Sequence, residues 1–354
     1  MQQVLVINDE RFTQHLEQVP HLENAKRIRA SHSLLQDPSL EGRWTEVEPR
    51  MASREELALV HTPDYIDRVA RSAGKQYTSF DMDTQATARS YEVAKLGVGG
   101  VFTLLDEICS NNARRGFAYI RPPGHHAEPD KAMGFCLFNN VALGARYLRE
   151  HHQIRKIMIF DLDVHHGNGT QAAFYETEDV LFVSAHQFPF YPGTGNFGEV
   201  GDGGGEGFTV NVPLRKGHGD RDFAQITYLL LNALAEEYHP EMVLISCGFD
   251  LYIHDRLGEM RVTPEGYALM TFFLLDMAER VCDGRIAFIM EGGYSLKGIR
   301  ECGLRVMQEL CDVRTLTKRD VEKITGAAPT RLSALKKVIQ VQKEYWKILA
   351  DGIN

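Results

Sequence analysis

A chain of 354 residues with 44% hydrophobic and 25% charged residues has the composition of a globular protein, long enough for one large α/β domain or two ordinary ones. A formal net charge of −9 argues against nucleic acid as a partner, and no apolar run approaches the ~20 residues that would span a membrane. The six cysteines, at 109, 136, 247, 282, 302 and 311, are scattered without CxxC spacing, which predicts reduced, buried thiols in a cytoplasmic protein and gives no structural zinc knuckle.

The first expected element is a short apolar strand, Val4-Leu5-Val6-Ile7, within MQQVLVINDERF; this start lacks the basic residues and longer apolar region of a secretory signal. Two acids, Asp81 and Asp83, precede a helical pattern at 88–109. A strand at Gly116–Ile120 runs into RPPGHHA, and after a helix at 139–150 a strand at Ile157–Phe160 runs into DLDVHHGNG. Further strands are expected at Val180–Ser184, Met242–Ser246 and Ile286–Met290, with helices at 222–238 and 264–281. The strand at 242–246 leads into CGFD, ending at Asp250, and the strand at 286–290 into EGGYS, holding Tyr294. Arg331–Ile348 reads as an amphipathic helix that packs on the domain or at a contact between copies of a homo-oligomer.

Most of these strands are continuous apolar runs, the pattern of strands buried on both faces. Their alternation with helices predicts an α/β fold with a central, mostly parallel sheet and helices on both sides. No internal repeat or low-complexity linker interrupts it, so residues 1–354 read as one domain. Such sheets bind ligands beyond the carboxyl ends of their strands, which is where the four polar motifs fall.

Asp163 and His165 stand two residues apart, so an extended segment points both to the same side. With Asp250 from another strand end they make three protein ligands, which leaves a position for water as a catalytic metal site requires. Zinc fits this set; Fe(II) or Mn(II) also suits two carboxylates and one imidazole. A metal-bound water with its pKa lowered to about 7 is a nucleophile at neutral pH. His125 and His126, on a stiff Pro-Pro-Gly turn, offer a base, and Asp161 and Asn168 can serve one histidine each. An Asp partner raises histidine basicity more than an Asn, so the two histidines should differ in protonation. Tyr294, on a Gly-Gly hinge, can donate to an oxyanion. Taken singly, each motif has a plainer reading: a structural histidine pair, a capped loop, a turn, a core tyrosine. Four strand ends carrying matched groups together argue for chemistry.

RPPGHHA, GFCLFNN, DLDVHHGNGTQ, YPGTG, GFD and EGGYS resemble the motifs of the zinc-dependent histone deacetylase superfamily, nearest to its class II-type branch and bacterial histone-deacetylase-like amidohydrolases. The resemblance spans about His21 to Thr315. It implies the arginase/deacetylase fold with long active-site loops, and hydrolysis of N-acyl amides such as acetyl-lysine or an acetylated polyamine. On its motifs, Asp163, His165 and Asp250 match the zinc ligands, His126 the general base and acid, His125 its electrostatic neighbour, Asp161 the partner of His125, and Tyr294 the oxyanion donor. Asn168 stands where many relatives carry a second Asp. Gly134 and Phe135 match one wall of the acyl-lysine channel, and Phe190 or Tyr191 the other. The resemblance also implies structural potassium, one ion near Asp161, Asp163, His165, Ser184 and Ala185, a second near Phe174, Thr177, Val180 and Phe208. An acid of the 81–83 loop, taken as Asp83, would grip the substrate backbone; a solvated loop is the plainer alternative.

Flat aromatic walls suit the methylene stem of an acyl-lysine, whereas a polyamine needs carboxylates at the mouth. Leu257, in the rim segment 250–259, is apolar where an acid would mark a polyamine site, so the expected partner is an acylated lysine in a protein or peptide. Asp255 and Glu259 keep the acetylated polyamine open, and an acyl-binding protein without turnover is a further reading.

Overall fold

The computed structural model describes residues 3–326 and 332–352. Eight strands form one sheet: β1 (Val4–Asn8), β2 (Trp44–Glu46), β3 (Arg115–Tyr119), β4 (Ile157–Asp161), β5 (Val180–Gln187), β6 (Thr209–Leu214), β7 (Met242–Cys247) and β8 (Ile286–Met290). Their order is β2-β1-β3-β8-β7-β4-β5-β6, and every pairing in it is parallel. Strands β4, β5, β7 and β8 are buried along their whole length, which explains their unbroken apolar runs. Strand β7 is covered from both sides, by the helix Asn140–His152 and by the helix Pro264–Cys282. The helix Ser90–Cys109 extends the first layer over β1, β3 and β8, and Leu296–Leu310 with Ala25–Leu34 extends the second.

The register decides where the polar motifs emerge. Asp161 at the end of β4 lies level with Ser184 of β5 and Ser246 of β7, and Met290 ends β8 beside Cys247. Five adjacent strands, β3, β8, β7, β4 and β5, therefore release their following loops onto one rim. The first and last residues of the four matched helices fall within two residues of the sequence expectation, and all six cysteines are free, five of them buried.

Three features differ from the expectation. Strand β6 and the short strand β2 carry no clean signal: β6, TVNVPL, contains Pro213, which a central strand rejects but this edge strand accepts. The helical stretch 220–238 is continuous but widens into a π-helix over Ile226–Leu231. The helix expected over 331–348 begins at Ser333, Arg331 lying outside the described residues, and breaks into Ser333–Gln342 and Lys347–Asp351. The break serves docking: extended backbone at Trp346 turns its indole inward, where Nε1 donates to Gly207 O at 2.9 Å. Among the described residues no helix is long and apolar enough to cross a membrane.

Candidate active site

The motif after β4 folds back on itself through its own carboxylates. Asp161 Oδ1 accepts from Asp163 N at 3.1 Å, and Asp163 Oδ1 accepts from His165 N at 2.9 Å. From β7, Asp250 Oδ1 accepts from Val164 N at 2.9 Å. Asp163, His165 and Asp250 thus present ligand atoms within 4.8 Å of one another, all buried. Asp250 Oδ2 stands 3.5 Å from His165 Nδ1 and makes no hydrogen bond. Burial and the charge of Asp163 push the Asp250 carboxyl upward. Two buried carboxylates, one with an orphaned oxygen, beside one imidazole form a donor set that a divalent cation satisfies and that the protein alone does not. Room for this set depends on Gly292: a Cβ there would lie 2.1 Å from Asp250 Oδ2 and 2.5 Å from Asp163 Oδ2.

The two histidines after β3 meet unlike partners. His125 Nδ1 lies 3.0 Å from Asp161 Oδ2, and its Nε2 lies 3.8 Å from Asp163 Oδ1. Burial opposes charge on this ring, but the two carboxylates prevail and raise its pKa to about 10. His126 Nδ1 lies 2.8 Å from Asn168 Oδ1, and Asn168 Nδ2 donates to Glu128 Oε1 at 2.7 Å. That donation fixes the amide, so Nδ1 of His126 carries the hydrogen and Nε2 is the nitrogen left for the cavity. Burial and the neighbouring rings of His125 and His165 hold His126 well below the ordinary histidine range. Adjacent residues are thereby kept in different protonation states.

The turn bearing both histidines is clamped from β8. Glu291 Oε2 accepts from Gly124 N at 2.6 Å and His125 N at 3.1 Å, and burial pushes its carboxyl up to about 7. Arg27 stands under Tyr294 with its guanidinium 5.0 Å from the ring centre, donating to Gly293 O at 2.6 Å and to Glu291 O. Glu23 pairs with both Arg27 and Arg121, at 2.9 Å and 2.5 Å, all three buried. Asp255 Oδ2 accepts from Tyr294 N and Ser295 N at 2.7 and 2.8 Å, fixing the other side of the tyrosine loop.

A cavity of about 320 Å³ opens over these groups, lined by His126, His165, Tyr294, Phe135, Gly134, Phe190, Tyr191, Leu257 and Asp83. Both aromatic candidates after β5 line it. Phe190 stacks on His165 with ring centres 5.5 Å apart, while Tyr191 meets His126 edge-on at 5.1 Å. Phe135 faces Tyr294 at 5.7 Å and holds a positive φ of 69°, strain tolerated where a side chain must be aimed. Gly134 lets this loop pass His126, since a Cβ there would lie 2.3 Å from the imidazole. Of the two loop acids, Asp83 reaches the cavity, and Asp81 caps the turn by accepting from Asp83 N and Thr84 N.

The residues set out for potassium divide. Ser184 and Ala185 lie in β5 beside Asp161, next to the metal cluster. Phe174, Thr177, Val180 and Phe208 lie away from the cavity, at the entry to β5 and just before β6. Glu23, Arg27, Arg121, Glu128, Glu291 and Arg256 are site residues that the motif reading passed over. EGGYS, RPPGHHA and the rim segment 250–259 already contained Glu291, Arg121 and Arg256; Glu23, Arg27 and Glu128 needed contacts across more than 30 residues.

The histone deacetylase domain family matches residues 21–310. The chain belongs to this family. It is 37% identical over 351 residues to histone deacetylase 15 of Arabidopsis thaliana, covering 97% of this chain and 62% of that protein. It is 36% identical over 295 residues to a probable deacetylase of Archaeoglobus fulgidus, covering 83% of this chain and 82% of the relative. A histone deacetylase-like amidohydrolase of Pseudomonas aeruginosa is 35% identical over 84% of this chain. The chain spans under two thirds of the length of several eukaryotic relatives, 43% for histone deacetylase HDA1 of Candida albicans. The crystal structure of the HDA15 HD domain superposes with a TM-score of 0.89 at 36% identity, covering 99% of this chain and 97% of that one. The deacetylase fold is thereby established for the chain.

Proposed function

We propose that residues 1–354 form one catalytic domain that hydrolyses N-acyl amides, with an acyl-lysine side chain as substrate. The observation that carries this reading is the cavity wall on which His126, neutral and with Nδ1 committed to Asn168, stands beside Tyr294 and the Asp163–His165–Asp250 cluster. A divalent metal held by Asp163, His165 and Asp250, zinc as the family motifs suggest and Fe(II) as the alternative, would supply Lewis-acid polarisation of the acyl carbonyl and a more acidic water. His126 takes the proton from the attacking water on Nε2 and returns it to the departing amine. His125, kept cationic by Asp161, adds positive charge beside the developing oxyanion without exchanging the proton itself. The Tyr294 phenol, held high in pKa by burial, stays protonated and donates to that oxyanion. Potassium beside Ser184 and Ala185 would stiffen the strand end that carries these ligands.

The rim favours acyl-lysine over an acetylated polyamine. Arg256 joins Leu257 at the mouth, and a cation there opposes internal ammonium groups. Of the two acids that kept the polyamine open, Glu259 is bound at 2.8 Å by Gln187 Nε2 and at 3.1 Å by Lys216 Nζ, and Asp255 Oδ2 is taken up by Tyr294 N and Ser295 N. The test is a kinetic comparison of the zinc-loaded protein on an acetyl-lysine peptide, a lactoyl-lysine peptide and N-acetylputrescine, with Tyr294→Phe as control. We expect kcat/KM on a lysine peptide to exceed that on N-acetylputrescine by at least about tenfold, ~1.4 kcal/mol, and to collapse in the variant. Preference for the polyamine overturns the substrate assignment. Absence of turnover with metal bound overturns the hydrolase reading in favour of an acyl-binding protein.

A further inference from the structure

Six large apolar side chains stand exposed among the described residues: Leu22, Met51, Tyr77, Met82, Tyr191 and Tyr345. Two of them, Leu22 and Tyr191, line the candidate cavity, and a third, Met82, lies one residue from its lining, next to Asp83. Met82 is 100% exposed, yet its loop is fixed. Asp81 Oδ1 accepts from Asp83 N at 3.0 Å and Thr84 N at 2.6 Å, and Phe80 N donates to Thr84 O at 2.9 Å across the short hairpin of Thr78–Ser79 and Gln85–Ala86. Gln85 Nε2 donates to Met82 O at 3.2 Å, and Thr84 Oγ1 accepts from Phe135 N at 3.0 Å, tying the loop to the cavity wall. A methionine presented to water on a pinned tip keeps its rotamer freedom while its backbone is already ordered, a surface that adapts to an apolar partner at small entropic cost.

We propose that this rim reads the residues flanking the acyl-lysine, and that the substrate is therefore a polypeptide with an apolar side chain next to the lysine, seated on Met82 and Leu22, and an acidic one facing Arg256. This rests on the hydrolase reading above. Charge supports it: Arg256, exposed, lines the mouth from the 250–259 segment, while Glu259 in that segment is already paired. A free amino acid or polyamine would leave the apolar arc wet; an extended chain leaving the cavity covers it.

The experiment uses the full chain and three probes: end-capped acetyl-lysine, a pentapeptide with leucine flanking acetyl-lysine, and the same peptide with serine there. We expect Met82→Ala to raise KM on the leucine peptide by about five- to tenfold, consistent with partial exposure of one buried methionine. Capped acetyl-lysine should be cleaved at the unchanged rate. Arg256→Glu should invert the preference between peptides carrying a glutamate or a lysine on the other flank. Equal KM for the leucine and serine peptides in the unaltered protein overturns the inference, as does a leucine preference that survives in Met82→Ala. If capped acetyl-lysine itself is not turned over, the hydrolase reading falls separately. Fluorescence anisotropy of the labelled leucine peptide then decides the rim: equal Kd for the unaltered protein and Met82→Ala overturns it, and a five- to tenfold weakening in the variant, about the same factor as for KM, sustains it.

Discussion

Two parts of this molecule bury side chains against the sheet, with opposite chemistry. At the carboxyl ends of β3, β4, β7 and β8 the buried groups are charged: Asp161, Asp163, Asp250, His125, Glu291, Arg27, Glu23 and Arg121 sit within one shell. At the far edge of the sheet, the segment 332–352 closes β6 with Leu335, Val338, Trp346 and Leu349 buried, Gln342 donating to the strand at Thr209 O and Trp346 to the chain just before it at Gly207 O. The first arrangement costs desolvation and builds the candidate active site. The second gains apolar burial and removes an open edge that would otherwise invite pairing with another chain. Changes at the groups facing the cavity, His126 and Tyr294, should move rate and spare stability; changes in the second should do the reverse.

The largest expected effect is on the first side. His126→Ala should lower kcat by about 10²–10⁴, the range for losing a general acid and base, with the thermal midpoint nearly unmoved. Tyr294→Phe should cost about 10²–10³. Asp250→Ala should lose both turnover and bound metal, read by elemental analysis after dialysis. A variant protein that kept one equivalent of zinc without Asp250 would place the metal elsewhere.

The opposite outcome is expected from Trp346→Ala. Its ring packs against Phe208 and Tyr238, with centres 5.4 and 6.2 Å away. Truncation should cost about 3–5 kcal/mol of folding stability, seen as a lower urea midpoint, while kcat/KM at 25 °C changes less than about twofold. A large loss of kcat/KM in folded protein would mean that the edge segment reaches the site.

Acid separates the two regions again. His61 is buried, with Nδ1 on Glu128 O at 3.1 Å and Nε2 accepting from Asn139 N at 2.9 Å, so it must be neutral to make both bonds. Burial lowers its pKa to about 4, and likewise that of His186 to about 4 and His15 to about 3. The folded values lie below the ordinary 6.5, so the unfolded chain binds protons first as pH falls. The stability these residues contribute is present above about 6.5 and lost as pH falls from about 6.5 to about 4 for His61 and His186 and to about 3 for His15. Urea midpoints should therefore fall from pH 7.5 to pH 5, and His61→Leu should flatten that slope even though it weakens the protein. A slope unchanged by the substitution would assign the acid sensitivity to other groups.

The contrast also explains what could be read from the sequence. The candidate rim was legible because each group follows its strand within a few residues, so apolar run plus polar motif brought Asp163, His165, Asp250, His126 and Tyr294 to one end of the sheet. The supports Asp161 and Asn168 were legible for the same reason. Glu23 and Arg27 were not, because an acid and a base four residues apart look like a solvated pair until a partner 98 residues away, Arg121, buries them. At the edge, Pro213 masked β6, and the apolar periodicity of 332–348 continued through a break that exists only because Trp346 finds Gly207. Tertiary contacts, absent from any local pattern, decided both.

The smallest effect tests how evenly that edge is balanced. Gln342 Nε2 donates to Thr209 O at 3.0 Å, but its Oε1 is buried with no hydrogen-bond partner. Replacing it with leucine removes one hydrogen bond, worth about 1 kcal/mol, and leaves Thr209 O unmet. The same change removes an unpaired amide oxygen whose burial costs about 1–3 kcal/mol, and adds apolar surface against β6. The terms oppose and are of similar size, so Gln342→Leu should shift the unfolding free energy by less than about 1 kcal/mol, whereas Gln342→Ala, which loses the bond and leaves a void, should cost more. Matched urea titrations of the two variants read the difference directly. A leucine variant destabilised as much as the alanine one would show that the bond to Thr209, rather than packing, holds the segment on the sheet.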